Sequence, residues 1–252
     1  MSQYRAIIIG ATSGIGLEVA CHLARKGVML GVAGRRMERL EELVSEYGPE
    51  QIKAVRLDVR SEDATKALDS LIAEVGAPDL LLYASGIGKQ NPTLDERIEC
   101  DTVATNSLGM VRIVDHFLNY VKREPKYDAK HKAHVAVITS VAGTRGMGSA
   151  PAYSATKSMQ STYLVALAQH VRMEHIPAFF SDIRPGFVAT DILNPDKHYP
   201  MLISRERAAR YILRGLKRRK RIITFDWKFR LTTLIWRLIP RCVWERMTFV
   251  RN

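Results

Sequence analysis

The 252-residue sequence predicts an α/β fold in which one doubly wound parallel sheet of about seven strands is followed by a basic amphipathic helical extension. Three observations lead there. Short apolar runs alternate with helical stretches along most of the chain. The runs are continuous rather than alternating in polarity, as expected of strands covered on both faces. The first run leads through a glycine-rich turn into a helical pattern, which is how a βαβ unit opens.

Taken in order, residues 6–9 form the first apolar run and residues 15–25 the first helical pattern. Residues 28–33 are the second run, followed by a charged helix over 37–47. Residues 52–57 and a helix near 63–75 come next, then a fourth run at 80–83 and one long helix from about 94 to 122. Residues 135–139 are the fifth run, with a helix from about 152 to 174. Residues 178–183 are the sixth run and 222–225 the seventh, with a helix over 205–216 between them. No linker composition interrupts this series, so residues 1–226 read as one domain and 227–252 as the extension.

Composition is that of a globular chain: 46% apolar and 25% charged, which excludes disordered and fibrous classes. The net charge of +12 is unevenly spread. Residues 1–200 carry 23 basic and 23 acidic side chains, whereas 201–252 carry 15 basic and 3 acidic. The body is therefore neutral, which argues against nucleic acid as its ligand, and the excess belongs to the C-terminal part. Cys21, Cys100 and Cys242 are an odd, widely spaced set that fits a reducing compartment. With no signal-like segment and no apolar run of the ~18 residues that a span requires, a cytoplasmic location is expected.

The turn after the first run reads Gly10-Ala11-Thr12-Ser13-Gly14-Ile15-Gly16. Gly10 permits a tight turn, Gly14 a close backbone approach to a pyrophosphate, and Gly16 close packing of helix on strand. N–H groups at the helix start would meet the phosphate charge. A plain βα turn with incidental glycines is the competing reading, and the position at the head of the first βαβ unit weighs against it. The second run ends in Gly34-Arg35-Arg36, where an NAD site would place a carboxylate. Two guanidiniums suit a 2′-phosphate, so NADP(H) is expected over NAD(H).

Tyr153 and Lys157 stand four apart, on one face of a helix. A phenol is mostly protonated at neutral pH, and a neighbouring ammonium favours the phenolate, which makes the pair a usable acid/base. Ser140, at the end of the fifth run, can donate to an oxygen on which charge develops. With the glycine turn, these residues resemble the short-chain dehydrogenase/reductase family, over most of residues 5–225. The resemblance implies a Rossmann fold and hydride transfer between NADP(H) and a carbonyl or secondary alcohol. Tyr153 would exchange the proton, Ser140 would polarise the oxygen, and Lys157 would tune the phenol while binding the ribose.

It further implies that Asn106 holds a water in a proton relay and that Ser13 helps with phosphate. Asp58 and Val59 would flank the adenine. Thr12, Ile15 and Gly86 belong to the same cofactor wall, and Pro185, Gly186, Val188 and Thr190 would hold the nicotinamide amide. The family also packs the helices around 94–122 and 152–174 between subunits, implying a homodimer or homotetramer. The sequence departs from the family at the fourth strand, where Tyr83-Ala84-Ser85-Gly86 replaces the usual Asn-Asn-Ala-Gly, and at Ile9, where a threonine is usual.

Other features weigh less. His131 and His134, in a Lys-rich stretch, read as solvated, and no metal site is assigned. Apolar residues between Thr190 and Ser204 either line a pocket for a hydrophobic carbonyl compound or merely cover the sheet. Leu231, Leu234, Ile235, Leu238 and Ile239 form an amphipathic stripe, with Val243, Trp244, Met247 and Val250 in a second short helix. Such stripes are usually core, so docking on its own domain or on a dimer mate is the leading expectation, and a peripheral membrane contact is the alternative. A non-catalytic NADP sensor is the rival function, and an intact Ser140, Tyr153 and Lys157 set argues against it.

Overall fold

In the computed structural model, which describes residues 4–193, 199, 201–225 and 227–248, seven strands form one parallel sheet. The strands are β1 (Arg5–Ile9), β2 (Met29–Gly34), β3 (Ile52–Arg56), β4 (Leu80–Tyr83), β5 (Ala133–Ile138), β6 (Ala178–Arg184) and β7 (Ile222–Thr224). Their order is β3-β2-β1-β4-β5-β6-β7. The order reverses between β1 and β4, which places a crevice beyond their carboxyl ends. In register, Ile8 lies opposite Val32 on one side and Leu82 on the other.

Nine α-helices are described: α1 (Gly14–Ala24), α2 (Met37–Tyr47), α3 (Ala64–Val75), α4 (Glu96–Val103), α5 (Gly109–Val121), α6 (Pro151–Met173), α7 (Arg205–Lys217), α8 (Trp227–Leu238) and α9 (Arg241–Trp244). The period of two along each strand sends alternate residues to opposite faces. Ile7 and Ile9 join a core with α3, α5 and α6, whereas Ala6 and Ile8 join one with α1, α2 and α7. Both faces are thus covered, and the continuous apolar runs have their explanation.

Two expectations need correcting. The helix read over 94–122 begins later and is interrupted. Leu94 has φ 52, and Asp95 caps α4 by accepting from the Arg97 N–H. Between α4 and α5, residues Ala104–Leu108 form a π-helical turn. One extra residue per turn keeps the apolar period close to helical, so the break is invisible in the pattern. His134 is not solvated: it lies in β5, is 5% exposed, and its Nε2 shares a 2.8 Å hydrogen bond with Ser181 Oγ. Burial, assisted by the charge of Arg219, pushes its pKa down to about 3.

The C-terminal helices bring a third correction. α8 does not turn its stripe to the body: Leu231, Leu234, Ile235 and Leu238 are all exposed, and Phe229 is the buried residue of that helix. Val250 and residues 194–198 and 200 lie outside the described residues.

Candidate active site

Loops leaving six strands, β1 to β6, converge on the crevice. After β1, Gly10 has φ +94 and passes so close to the loop after β4 that a Cβ there would lie 2.5 Å from the Ser85 nitrogen. A Cβ on Gly16 would collide with the Gly10 carbonyl oxygen, so the first turn of α1 can seat against the strand only with glycine there. Ser13 is the N-cap residue of α1, in extended conformation, and its side chain makes no capping bond. The hydroxyl and the free N–H groups of the first helical turn therefore share one edge of the cleft.

Gly10, Thr12, Ser13, Gly14, Ile15 and Gly16 line this cleft, with Arg35 and Arg36 from the end of β2. Arg36 Nη2 donates to the Thr12 carbonyl at 3.3 Å and to Thr12 Oγ1 at 3.1 Å, which holds a guanidinium over the glycine turn. Asp58 and Val59 follow from β3 and Gly86 from β4. Partial burial works to raise the Asp58 pKa, but hydrogen bonds from the side chain and backbone of Arg60 outweigh it and hold the carboxyl below its ordinary value. Pro185, Gly186, Val188 and Thr190 close the opposite side. A Cβ on Gly14 would lie 3.4 Å from the Thr190 methyl, so the two ends of the cleft face one another closely.

Deeper in, Ser140 starts a short 3-10 turn after β5, its Oγ accepting from the Ala142 N–H at 3.0 Å. Pro151 opens α6, and Tyr153 and Lys157 project from its first turns into the same cleft as Ser140. Burial raises the Tyr153 pKa above that of an ordinary phenol, and a side-chain hydrogen bond with Ser140 opposes the rise. Burial likewise lowers the Lys157 pKa to about 7, against the opposing charge of Asp182. Lys157 Nζ donates to the Ile138 carbonyl at 2.8 Å and to Gln160 Oε1 at 3.1 Å, and lies 5.8 Å from the centroid of the Tyr153 ring.

Asn106 does not line the cleft. It is fully buried behind the cleft in the π-helical turn, where its side chain exchanges two 2.9 Å hydrogen bonds with the backbone of Ile87. Its own carbonyl accepts from Gln160 Nε2 at 2.7 Å. The Gln160 amide therefore spans the gap between Asn106 and Lys157 by itself. The sequence reading missed this residue, although its spacing of three from Lys157 puts it on the same helical face. Asp182 was also missed. A carboxylate inside an apolar strand is the signal, and it is held there by Thr139 Oγ1 at 2.5 Å and by an ion pair with Arg184 at 2.6 Å. Tyr83, at the departure from the family pattern, donates its hydroxyl to the Thr105 carbonyl at 2.9 Å and so ties β4 to the π-helical turn.

This is the strand order and site placement of a dinucleotide enzyme, and the sequence matches the short chain dehydrogenase family model over residues 4–199. The chain belongs to the short-chain dehydrogenase family. Among its relatives, an uncharacterized oxidoreductase of Myxococcus xanthus is 30% identical over 254 aligned residues, covering 97% of this chain and 96% of that protein. Actinorhodin polyketide ketoreductase, solved with NADPH, superposes with a TM-score of 0.70 at 21% identity, covering 84% of this chain and 89% of that one. A short-chain dehydrogenase/reductase from Burkholderia phymatum, solved with NAD, gives a TM-score of 0.76 at 20% identity, covering 100% and 96%. The chain is thus an oxidoreductase of the short-chain dehydrogenase type, with a fold that binds a nicotinamide cofactor and acts on small molecules.

Proposed function

We propose that this protein transfers a hydride between NADP(H) and a carbonyl or secondary-alcohol group, with Tyr153 as the general acid/base. The observation that carries the reading is the meeting of Ser140, Tyr153 and Lys157 in one cleft with the glycine turn and the arginine pair. The glycine turn suits a pyrophosphate, because Gly10 and Gly16 let the turn and the start of α1 seat tightly on the strands, leaving the free N–H groups of the first helical turn at the edge of the cleft. Residues 10–16 hold the pyrophosphate, Ser13 donating its hydroxyl. Arg35 and Arg36 take the 2′-phosphate, Asp58 and Val59 flank the adenine, and Pro185, Gly186, Val188 and Thr190 hold the amide end beside Gly86.

When bound, the cofactor supplies or accepts the hydride. In the reducing direction the Tyr153 hydroxyl passes its proton to the substrate oxygen, and Ser140 donates a hydrogen bond to that oxygen as charge builds on it. Burial keeps the free Tyr153 protonated, the form that reduction requires. The Lys157 ammonium stabilises the phenolate left behind and holds the ribose hydroxyls. Asn106 and Gln160 fix Lys157 from behind. Ile192 and Leu193 border the cleft mouth, which suits an apolar substrate body. Val103, Leu108 and Val165 are exposed on the helices that the family packs between subunits, which supports a homo-oligomer.

Fluorescence titration tests the cofactor assignment. NADPH should bind at least about tenfold tighter than NADH, and exchanging Arg35 and Arg36 together for alanine should erase the gap by removing charge-assisted phosphate contacts. Equal affinities in the wild type would overturn the choice of NADP(H).

A further inference from the structure

Helix α8 is inside out. Its one buried side chain, Phe229, is 6% exposed, meets the Phe187 ring edge-on at 6.0 Å, and covers Gly186, where any Cβ would collide with it. At 100° per residue, Trp227, Leu231, Leu234, Ile235 and Leu238 fall in an arc of about 100° centred opposite Phe229. They are 69%, 48%, 56%, 51% and 76% exposed. A helix that only stabilised the fold would turn this stripe inward. Here the stripe faces away from the protein.

Among the described residues, the charges lining the groove beside it have one sign. Arg230 and Arg237 flank the stripe on one side, and with Leu234 they form a wall of a groove whose far wall includes Arg214, Arg218 and Arg221. No acidic residue lines this groove among the described residues. The C-terminal excess of charge thus lies alongside exposed apolar side chains.

We propose that α8 docks the protein on a bilayer surface bearing anionic phospholipid. The apolar stripe enters the headgroup–acyl boundary, and the flanking arginines meet lipid phosphates. Among the described residues no helix is long and apolar enough to cross a membrane, so α8 lies in the interface rather than across it. A nucleic acid would satisfy the arginines but leave five large apolar side chains in water. A second copy would bring the same basic groove against itself, and like charges would face each other. An anionic bilayer matches both features of the surface, and the inference stands apart from the cofactor assignment.

Flotation of the full chain with vesicles tests it. At low salt the protein should rise with phosphatidylcholine–phosphatidylglycerol vesicles, stay down with pure phosphatidylcholine, and release as salt is added. Leu234→Asp combined with Leu238→Asp should lower binding about tenfold or more, with an unchanged thermal midpoint showing that the fold is intact. Replacing Arg230 and Arg237 by alanine should weaken binding and flatten its salt dependence. The proposal is overturned if the wild type stays at the bottom, if it floats equally on both vesicle types, or if the aspartate variant floats like the wild type. It is also overturned if light scattering shows that the aspartate pair splits a dimer that binds no vesicles, which would make a second copy the occupant.

Discussion

Helices α6 and α8 break the usual burial rule in opposite directions. α6 buries Ser154, Thr156, Lys157 and Gln160, whereas α8 exposes Trp227, two leucines in its middle turns, an isoleucine and its terminal Leu238. Each inversion costs stability: a buried amine loses its hydration, and exposed leucines forgo burial worth roughly 1.5–3 kcal/mol each. The difference lies in what offsets the cost. On α6 every buried polar group has partners within the protein, so that inversion is complete as it stands. On α8 nothing among the described residues covers the stripe. One helix holds its chemistry ready, and the other presents a surface that is finished only by something outside.

The largest effect expected on the α6 side comes from Tyr153→Phe. Removing the proton donor should lower turnover about a hundredfold or more while leaving NADPH affinity, read by fluorescence, near wild type. Comparable activity in the variant would place the acid elsewhere and dissolve the contrast between the helices.

Gln160 sharpens it next. Gln160→Leu removes an acceptor that favours the charged amine, so the Lys157 titration should move below about 7. Gln160→Glu should move it up. In pH profiles of kcat/KM, the two variants should shift the same limb in opposite directions, by about one pH unit. A purely structural role would lower the rate without moving either limb.

The smallest effect concerns stability of the body alone. His134 has its pKa lowered to about 3 from the ordinary 6.5, so between those values the unfolded chain binds the extra proton and stability falls as pH drops. His134→Gln can keep a hydrogen bond to Ser181, and its unfolding free energy should show a flatter acid slope from pH 6.5 downward. Denaturant melts at several pH values check this, and a slope identical to the wild type would remove His134 as a contributor.

Much of the architecture was legible because it rests on local patterns. Continuous apolar runs mark all seven strands, and the glycine turn, Arg35–Arg36 and Tyr153–Lys157 sit where their spacing put them. What escaped was non-local. The strand order needs register, which no single run contains. Asn106 was named from the sequence, but the π-helical turn that carries it and its bonds to the backbone of Ile87 are silent in the apolar period. His134 was misplaced because its lysine neighbours dominate a short window, although its partner Ser181 is 47 residues away. The stripe on α8 was found, but periodicity says only that a helix has an apolar face, not which way that face points.

Arg145 fastens the C-terminal helices to the body, and it does so through peptide oxygens. Its guanidinium donates to the backbone carbonyls of Trp236, Arg237 and Ile239, while the Trp244 indole N–H donates to the Gly146 carbonyl. Bonds to main-chain oxygen are indifferent to the side chains of the residues that supply it. Attachment and outward composition can therefore vary separately. The exposed face of the hairpin can be rewritten for a different surface, residue by residue, without loosening the joint that holds it five positions downstream of Ser140.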